Sequence, residues 1–130
     1  MASSPEVSER KYTVLVAEDE AMLRVVVRET LRHAGFDVVE AADGTAGLEI
    51  LQSDRAIDVL LTDVKMPGLN GYQLAEACLR LRPATSVILM TGFADEAIPD
   101  AIRKASIPVM RKPFDFATLG KSIRATIRTA

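Results

Sequence analysis

The chain has 130 residues and a mass of 14.1 kDa, with 48% apolar and 26% charged residues, which fits one globular domain and excludes a disordered chain. A net charge of −2 and a pI near 5.4 argue against a general nucleic-acid binder, because phosphate-backbone affinity is supplied by clustered Lys and Arg. A single cysteine, Cys78, excludes a disulfide scaffold and every multi-cysteine metal motif and agrees with a reducing compartment, the cytoplasm by default.

Residues 1–11 are polar, with Pro5 and alternating charges, and carry no apolar signal-peptide region; they are expected to form a disordered lead. Residues 12–130 are expected to fill a single domain, leaving no room for an effector domain, and no stretch is long and apolar enough for a membrane span. From Tyr12 onward short apolar runs alternate with segments of helical period, the pattern of a parallel sheet covered on both faces. The strands are predicted at Tyr12–Ala17, Asp37–Ala41, Val59–Asp63, Ser86–Thr91 and Val109–Arg111.

The first helix places Leu23, Val26, Val27, Thr30, Leu31 and Ala34 on one face, opposite a solvated face of Arg24, Arg28 and Arg32, and stops at Gly35. The second starts near Asp43 and Gly44 and buries Ile50 and Leu51. The third, Asn70 to Arg82, buries Leu74, Ala77, Cys78 and Leu81 before Pro83. Pro99 lacks an N–H and tolerates only a first helical turn, so Asp95 to Ile98 is expected to be loop and the fourth helix short. The fifth starts at Asp115 as N-cap and turns Phe116, Leu119, Ile123 and Ile127 toward the sheet.

In an open parallel sheet ligands bind beyond the carboxyl ends of the strands, where the winding reverses. There the sequence places Glu18 and Asp19 after the first strand, Asp63 at the end of the third, Thr91 and Gly92 at the end of the fourth, and Lys112 and Pro113 after the fifth. Three crowded carboxylates repel; protonating one, or binding a hard divalent cation such as Mg²⁺, relieves this. An Asp carboxylate can also accept a phosphoryl group, with the cation, a lysine and a hydroxyl meeting the transferring oxygens.

Glu18-Asp19, Asp63 with the turn Met66-Pro67-Gly68-Leu69-Asn70-Gly71, Thr91-Gly92 and Lys112-Pro113-Phe114 resemble, in order and spacing, the receiver domain of two-component response regulators. The resemblance covers Tyr12 to about Thr129 and implies a flavodoxin-like doubly wound five-stranded parallel sheet, order 2-1-3-4-5, with five helices. It implies that Asp63 is the phosphoacceptor, that Glu18, Asp19, Asp63 and the backbone carbonyl of Lys65 hold Mg²⁺, that Thr91 is the switch hydroxyl, that Lys112 contacts the phosphoryl group, and that the Lys112–Pro113 bond is cis. The implied partners are a histidine kinase or histidine phosphotransfer protein and a downstream protein target, with no nucleic acid or membrane, and the chain is expected to be a monomer that assists only its own phosphorylation and dephosphorylation. Where the family carries an aromatic residue three positions before the lysine, this chain has Val109, so its switch is expected to run through the segment after Thr91.

Other readings compete. Glu18-Asp19 could simply favour a helix N-terminus, Lys112 could be a solvated lysine, and Thr91 an ordinary strand-end residue. Asp63 is harder to dismiss, because it ends the apolar run Val59-Leu60-Leu61, where an unpaired carboxylate is costly. His33 lies in the last turn of a helix, where a polar or cationic side chain is ordinary. A phosphorylation-independent adaptor would be expected to lose one of the rim residues, and the receiver segment of a hybrid histidine kinase is a further alternative. A phosphatase of the haloacid dehalogenase type needs an acid two residues after its nucleophile, and Lys65 stands there instead. No P-loop or dinucleotide fingerprint occurs.

Overall fold

Successive strand side chains point to opposite faces, so a strand covered on both sides needs apolar residues throughout. In the computed structural model, which describes residues 11–92, 98–113 and 115–127, that demand is met by the apolar runs within β1 (Thr13–Ala17), β3 (Val59–Asp63) and β4 (Ser86–Thr91), whose polar residues stand at or next to the strand ends. They are the interior strands of a parallel sheet ordered β2-β1-β3-β4-β5, with β2 (Asp37–Ala41) and β5 (Val109–Arg111) at its edges. This is the predicted flavodoxin-like order. The register sets Leu15 against Leu60, Leu61 against Ile88 and Asp63 against Met90, so β1, β3 and β4 end close to one rim.

Five helices cover the two faces: α1 (Ala21–His33), α2 (Gly44–Leu51), α3 (Gly71–Leu81), α4 (Asp100–Lys104) and α5 (Phe116–Thr126). Val14, Val16, Leu61 and Ile88 pack with Val27 and Leu31 of α1 and Leu119 and Ile123 of α5. On the other face Leu15, Leu60 and Leu89 pack with Leu51, Leu74, Cys78 and Ile102 from α2, α3 and α4. Burial pushes the Cys78 thiol up to about 11, with only a small opposing pull from Arg82, in keeping with a core role.

The predicted helix starts are built from side-chain caps. Asp43 accepts from the Ala46 N–H at 2.8 Å and Asp115 from the Ala117 N–H at 2.9 Å. Asn70 and Gln73 form a reciprocal capping box at α3. Pro99 is the N-cap of α4, a position where its missing N–H costs no helical hydrogen bond, and α4 is short, as expected, with five residues. The expected lead up to residue 10, the loop from Asp95 up to residue 97, and Phe114 lie outside the described residues.

Three expectations are corrected. Val26 and Leu81 are exposed (41% and 44%), and so is Ala34, although all three were assigned to buried faces. In α1 the buried residues are Val27 and Leu31, one turn apart, and Val26 sits about 100° around the helix from Val27. At the end of α3 it is Arg82, not Leu81, that reaches α2, donating to the Leu51 carbonyl at 2.9 Å and the Ser53 carbonyl at 2.7 Å. Arg24 and Arg28 do not form a freely solvated face: both are ion-paired with Glu40 of β2, at 3.3 and 3.1 Å.

Candidate functional site

The rim joins the predicted residues through one lysine. Lys112 Nζ donates to Glu18 Oε1 and to Asp63 Oδ2, each at 3.1 Å, which ties together segments 94 and 49 residues apart in the chain. The Glu18 side chain is 1% exposed, that of Asp63 9% and that of Lys112 24%. The other oxygen of Glu18, Oε2, accepts from the Glu20 N–H at 3.0 Å, so Glu18 also serves the start of α1.

Burial pushes the Glu18 carboxyl up to about 7, and the Asp63 charge adds to the rise; the Glu20 N–H and the Lys112 ammonium oppose it without cancelling it. For Lys112 burial works against the charged form, but Asp63 and Glu18 outweigh it and the pKa is raised. The Lys112 ammonium thus bridges two acids of a cluster of three, because Asp19, which is exposed, adds a carboxylate oxygen within 4.8 Å of those of Glu18 and Asp63. A set of hard oxygen donors with excess negative charge fits a hard divalent cation such as Mg²⁺.

Thr91 is buried at the end of β4, one residue beyond the Met90 paired with Asp63, and its carbonyl accepts from the Lys112 N–H at 2.9 Å. The Lys112–Pro113 bond is cis, as the resemblance implies. Lys65 is exposed and shares with Asp19, Pro67, Asn70 and Tyr72 the lining of an open cavity of about 490 Å³ beside the acids. Val109 is 41% exposed at the edge strand, and His33 is exposed in the last turn of α1.

Two supports of the site were missed by sequence reasoning. Gly71 lies against the acceptor strand: a Cβ there would fall 2.0 Å from the Asp63 carbonyl oxygen, and the Gly71 N–H donates to the Val64 carbonyl at 2.8 Å. Gly44 meets the same loop from α2, where a Cβ would fall 1.9 Å from the Leu69 carbonyl oxygen. The second support is Arg24, which donates from Nη1 to the Glu18 carbonyl at 2.8 Å. The sequence places Gly71 in the turn after Asp63 but gives no sign of its approach to the Asp63 backbone; for Arg24 there is no sign at all, since charge periodicity assigns it to solvent.

The fold and the rim together define a flavodoxin-like α/β domain with its carboxylate cluster and Lys112 gathered at the carboxyl edge of the sheet. Residues 14–124 match the response regulator receiver domain, and the chain belongs to that family, the receivers of two-component systems. It is 31% identical over 118 residues to the response regulator receiver protein CpdR of Brucella abortus, covering 90% of this chain and 98% of CpdR. It is 36% identical over 118 residues to the transcriptional regulatory protein CseB of Streptomyces coelicolor, covering 88% of this chain but about half (49%) of CseB. A response regulator receiver domain protein of Clostridium thermocellum superposes with a TM-score of 0.81 at 30% identity, over 89% of this chain and 94% of that one. Among the described residues no helix is long and apolar enough to cross a membrane.

Proposed function

We propose that residues 12–130 act as a stand-alone cytoplasmic receiver in which Asp63 accepts a phosphoryl group from a histidine kinase or a histidine phosphotransfer protein and passes the signal on by protein–protein contact. The observation that carries this reading is the Lys112 ammonium held 3.1 Å from both Glu18 and Asp63, with the Asp19 carboxylate beside them. The near-complete coverage of CpdR supports the stand-alone form.

In the transfer, a carboxylate oxygen of Asp63 attacks phosphorus, the bond from phosphorus to the donor imidazole nitrogen breaks, and its electron pair leaves with the imidazole. Lys112 faces the new acyl phosphate with its ammonium, and the Thr91 hydroxyl donates to a phosphoryl oxygen. Hydrolysis reverses the state: water attacks phosphorus, the Asp63 O–P bond breaks, and carboxylate and inorganic phosphate result. Glu18, Asp19, Asp63 and the Lys65 backbone carbonyl would hold Mg²⁺, which supplies charge neutralisation for the transferring oxygens.

Intact-mass analysis after incubation with a small acyl phosphate and Mg²⁺ tests this. The parent gains one phosphoryl group and Asp63→Asn gains none; equal phosphorylation of Asp63→Asn overturns the acceptor assignment.

A further inference from the structure

The peptide unit of Glu18 is pinned from two sides by β2. Its N–H donates to the Ala41 carbonyl at 3.1 Å, which extends the β1–β2 pairing by one residue. Its carbonyl oxygen lies beyond the sheet ladder and receives instead the Arg24 guanidinium, Nη1 at 2.8 Å. Arg24 is in turn oriented by Glu40, the residue before Ala41, through Nε to Oε1 at 3.3 Å. Glu40 cannot swing away freely, because its other oxygen accepts from Arg28 Nη1 at 3.1 Å. The Arg24 side chain is only 19% exposed, so this contact is held in a partly desolvated setting where a charged donor to a carbonyl is effective.

We propose that Arg24 is a positioning residue of the acid cluster: oriented by Glu40, it fixes the main chain at Glu18 and so sets the aim of the Glu18 and Asp19 carboxylates toward a divalent cation. The proposal rests on the metal assignment made above. It needs an arginine, because the donors to Glu40 and to the Glu18 carbonyl sit on two nitrogens, Nε and Nη1, held apart in one planar guanidinium, whereas all the donors of a lysine sit on one nitrogen.

Charge and geometry predict opposite signs, which makes the proposal testable. Removing a cation near three acids strengthens Mg²⁺ binding if Arg24 acts only through its charge. It weakens binding if Arg24 acts by placing the ligands. Mg²⁺ affinity is read by titrating backbone amide shifts of the unphosphorylated protein, alongside urea unfolding of each variant. Arg24→Leu is expected to bind Mg²⁺ about tenfold more weakly, a loss of about 1.4 kcal/mol. Arg24→Lys, which keeps the charge, is expected to bind roughly threefold more weakly by the same argument. Should Arg24→Leu fail to fold, Arg24→Lys carries the test alone. Unchanged or tighter binding in the folded Arg24 variants, with a parent that binds Mg²⁺, overturns the positioning role and leaves the metal assignment standing. A parent whose amides do not respond to Mg²⁺ overturns both.

Discussion

Adding one methyl group at Gly71 tests whether the backbone around Asp63 is as tightly fitted as its contacts imply. The new Cβ falls 2.0 Å from the Asp63 carbonyl oxygen and 2.8 Å from both the Asp63 carbonyl carbon and the Val64 Cα. Real Cβ contacts stay above 3.0 Å, so the start of α3 and the end of β3 must part by about 1 Å. Neither neighbour is a flexible side-chain tip; both are backbone. Overpacking of this kind costs about 1–3 kcal/mol, and stretching the 2.8 Å bond from the Gly71 N–H to the Val64 carbonyl removes roughly another 1 kcal/mol. The gain of about 1 kcal/mol from replacing a helical glycine by alanine does not offset this.

Gly71→Ala is therefore expected to lose about 1–3 kcal/mol in urea unfolding, a fall of roughly 5–10 °C in Tm. Because a shift of about 1 Å at a reacting group can cost on the order of 10²-fold, its initial rate of Mg²⁺-dependent phosphorylation is expected to drop at least about tenfold. Gly92→Ala is the control: among the described residues nothing lies within 4 Å of its added Cβ, and its φ is not left-handed, so it is expected to be neutral or slightly stabilising, by up to about 1 kcal/mol. If Gly71→Ala proves as stable as Gly92→Ala, the tight fit around Asp63 is refuted.

The raised Glu18 pKa makes the metal-free protein sensitive to pH. The folded state keeps that proton up to about 7 while the unfolded chain releases it near 4.5, so folding takes up a proton in between, and stability falls as pH rises through this window and then levels off. The fall is on the order of 3 kcal/mol, and Glu18→Gln should flatten it; equal slopes for parent and variant would contradict the burial argument. Cys78, with its thiol pushed up to about 11 by burial, is expected to react with a thiol reagent only as fast as the core opens, and rapid labelling of the native protein would place it outside the core. Asn70→Ala removes half of the capping box at α3 and is expected to cost about 1 kcal/mol in urea unfolding. A variant indistinguishable from the parent would show that the box adds nothing to solvent capping.

The sheet was legible because each interior strand is an unbroken apolar run, and the rim because such a run ends in residues that have no business in a core. Asp63 directly after Val59-Leu60-Leu61-Thr62 is the clearest case; the strand order sets it beside Glu18 at one buried rim, and the long Lys112 side chain reaches both from the end of β5. Helix faces were legible only to within a turn. Periodicity counts Val26 with Val27 and Leu81 with Leu74 and Cys78, but the width of the stripe that actually packs depends on how the helix sits on the sheet, and both residues lie outside it. Arg24 and Gly71 were illegible for a different reason. Both act on main-chain carbonyls, of Glu18 and Asp63, and a carbonyl carries no residue label for a sequence pattern to match.

The acid pair shows how far that limit reaches. Read as a sequence, Glu18 and Asp19 are two equivalent carboxylates after a strand; in the fold they have separate tasks. Glu18 is buried, with one oxygen on Lys112 and the other on the Glu20 N–H, and its peptide is held by Ala41 and Arg24. Asp19 is exposed and faces the open cavity next to Lys65. A buried carboxylate held by Lys112 and the Glu20 N–H offers its remaining lone pairs to an ion from a fixed position, whereas the exposed Asp19 carboxylate can move to meet one. Glu18 is thus the fixed wall of the cluster and Asp19 its open side. The extra methylene of Glu18 has a physical use in this arrangement, since it lets the carboxylate fold back to the α1 N-terminus while still meeting Lys112. The shorter side chain of Glu18→Asp would have to give up one of those two contacts.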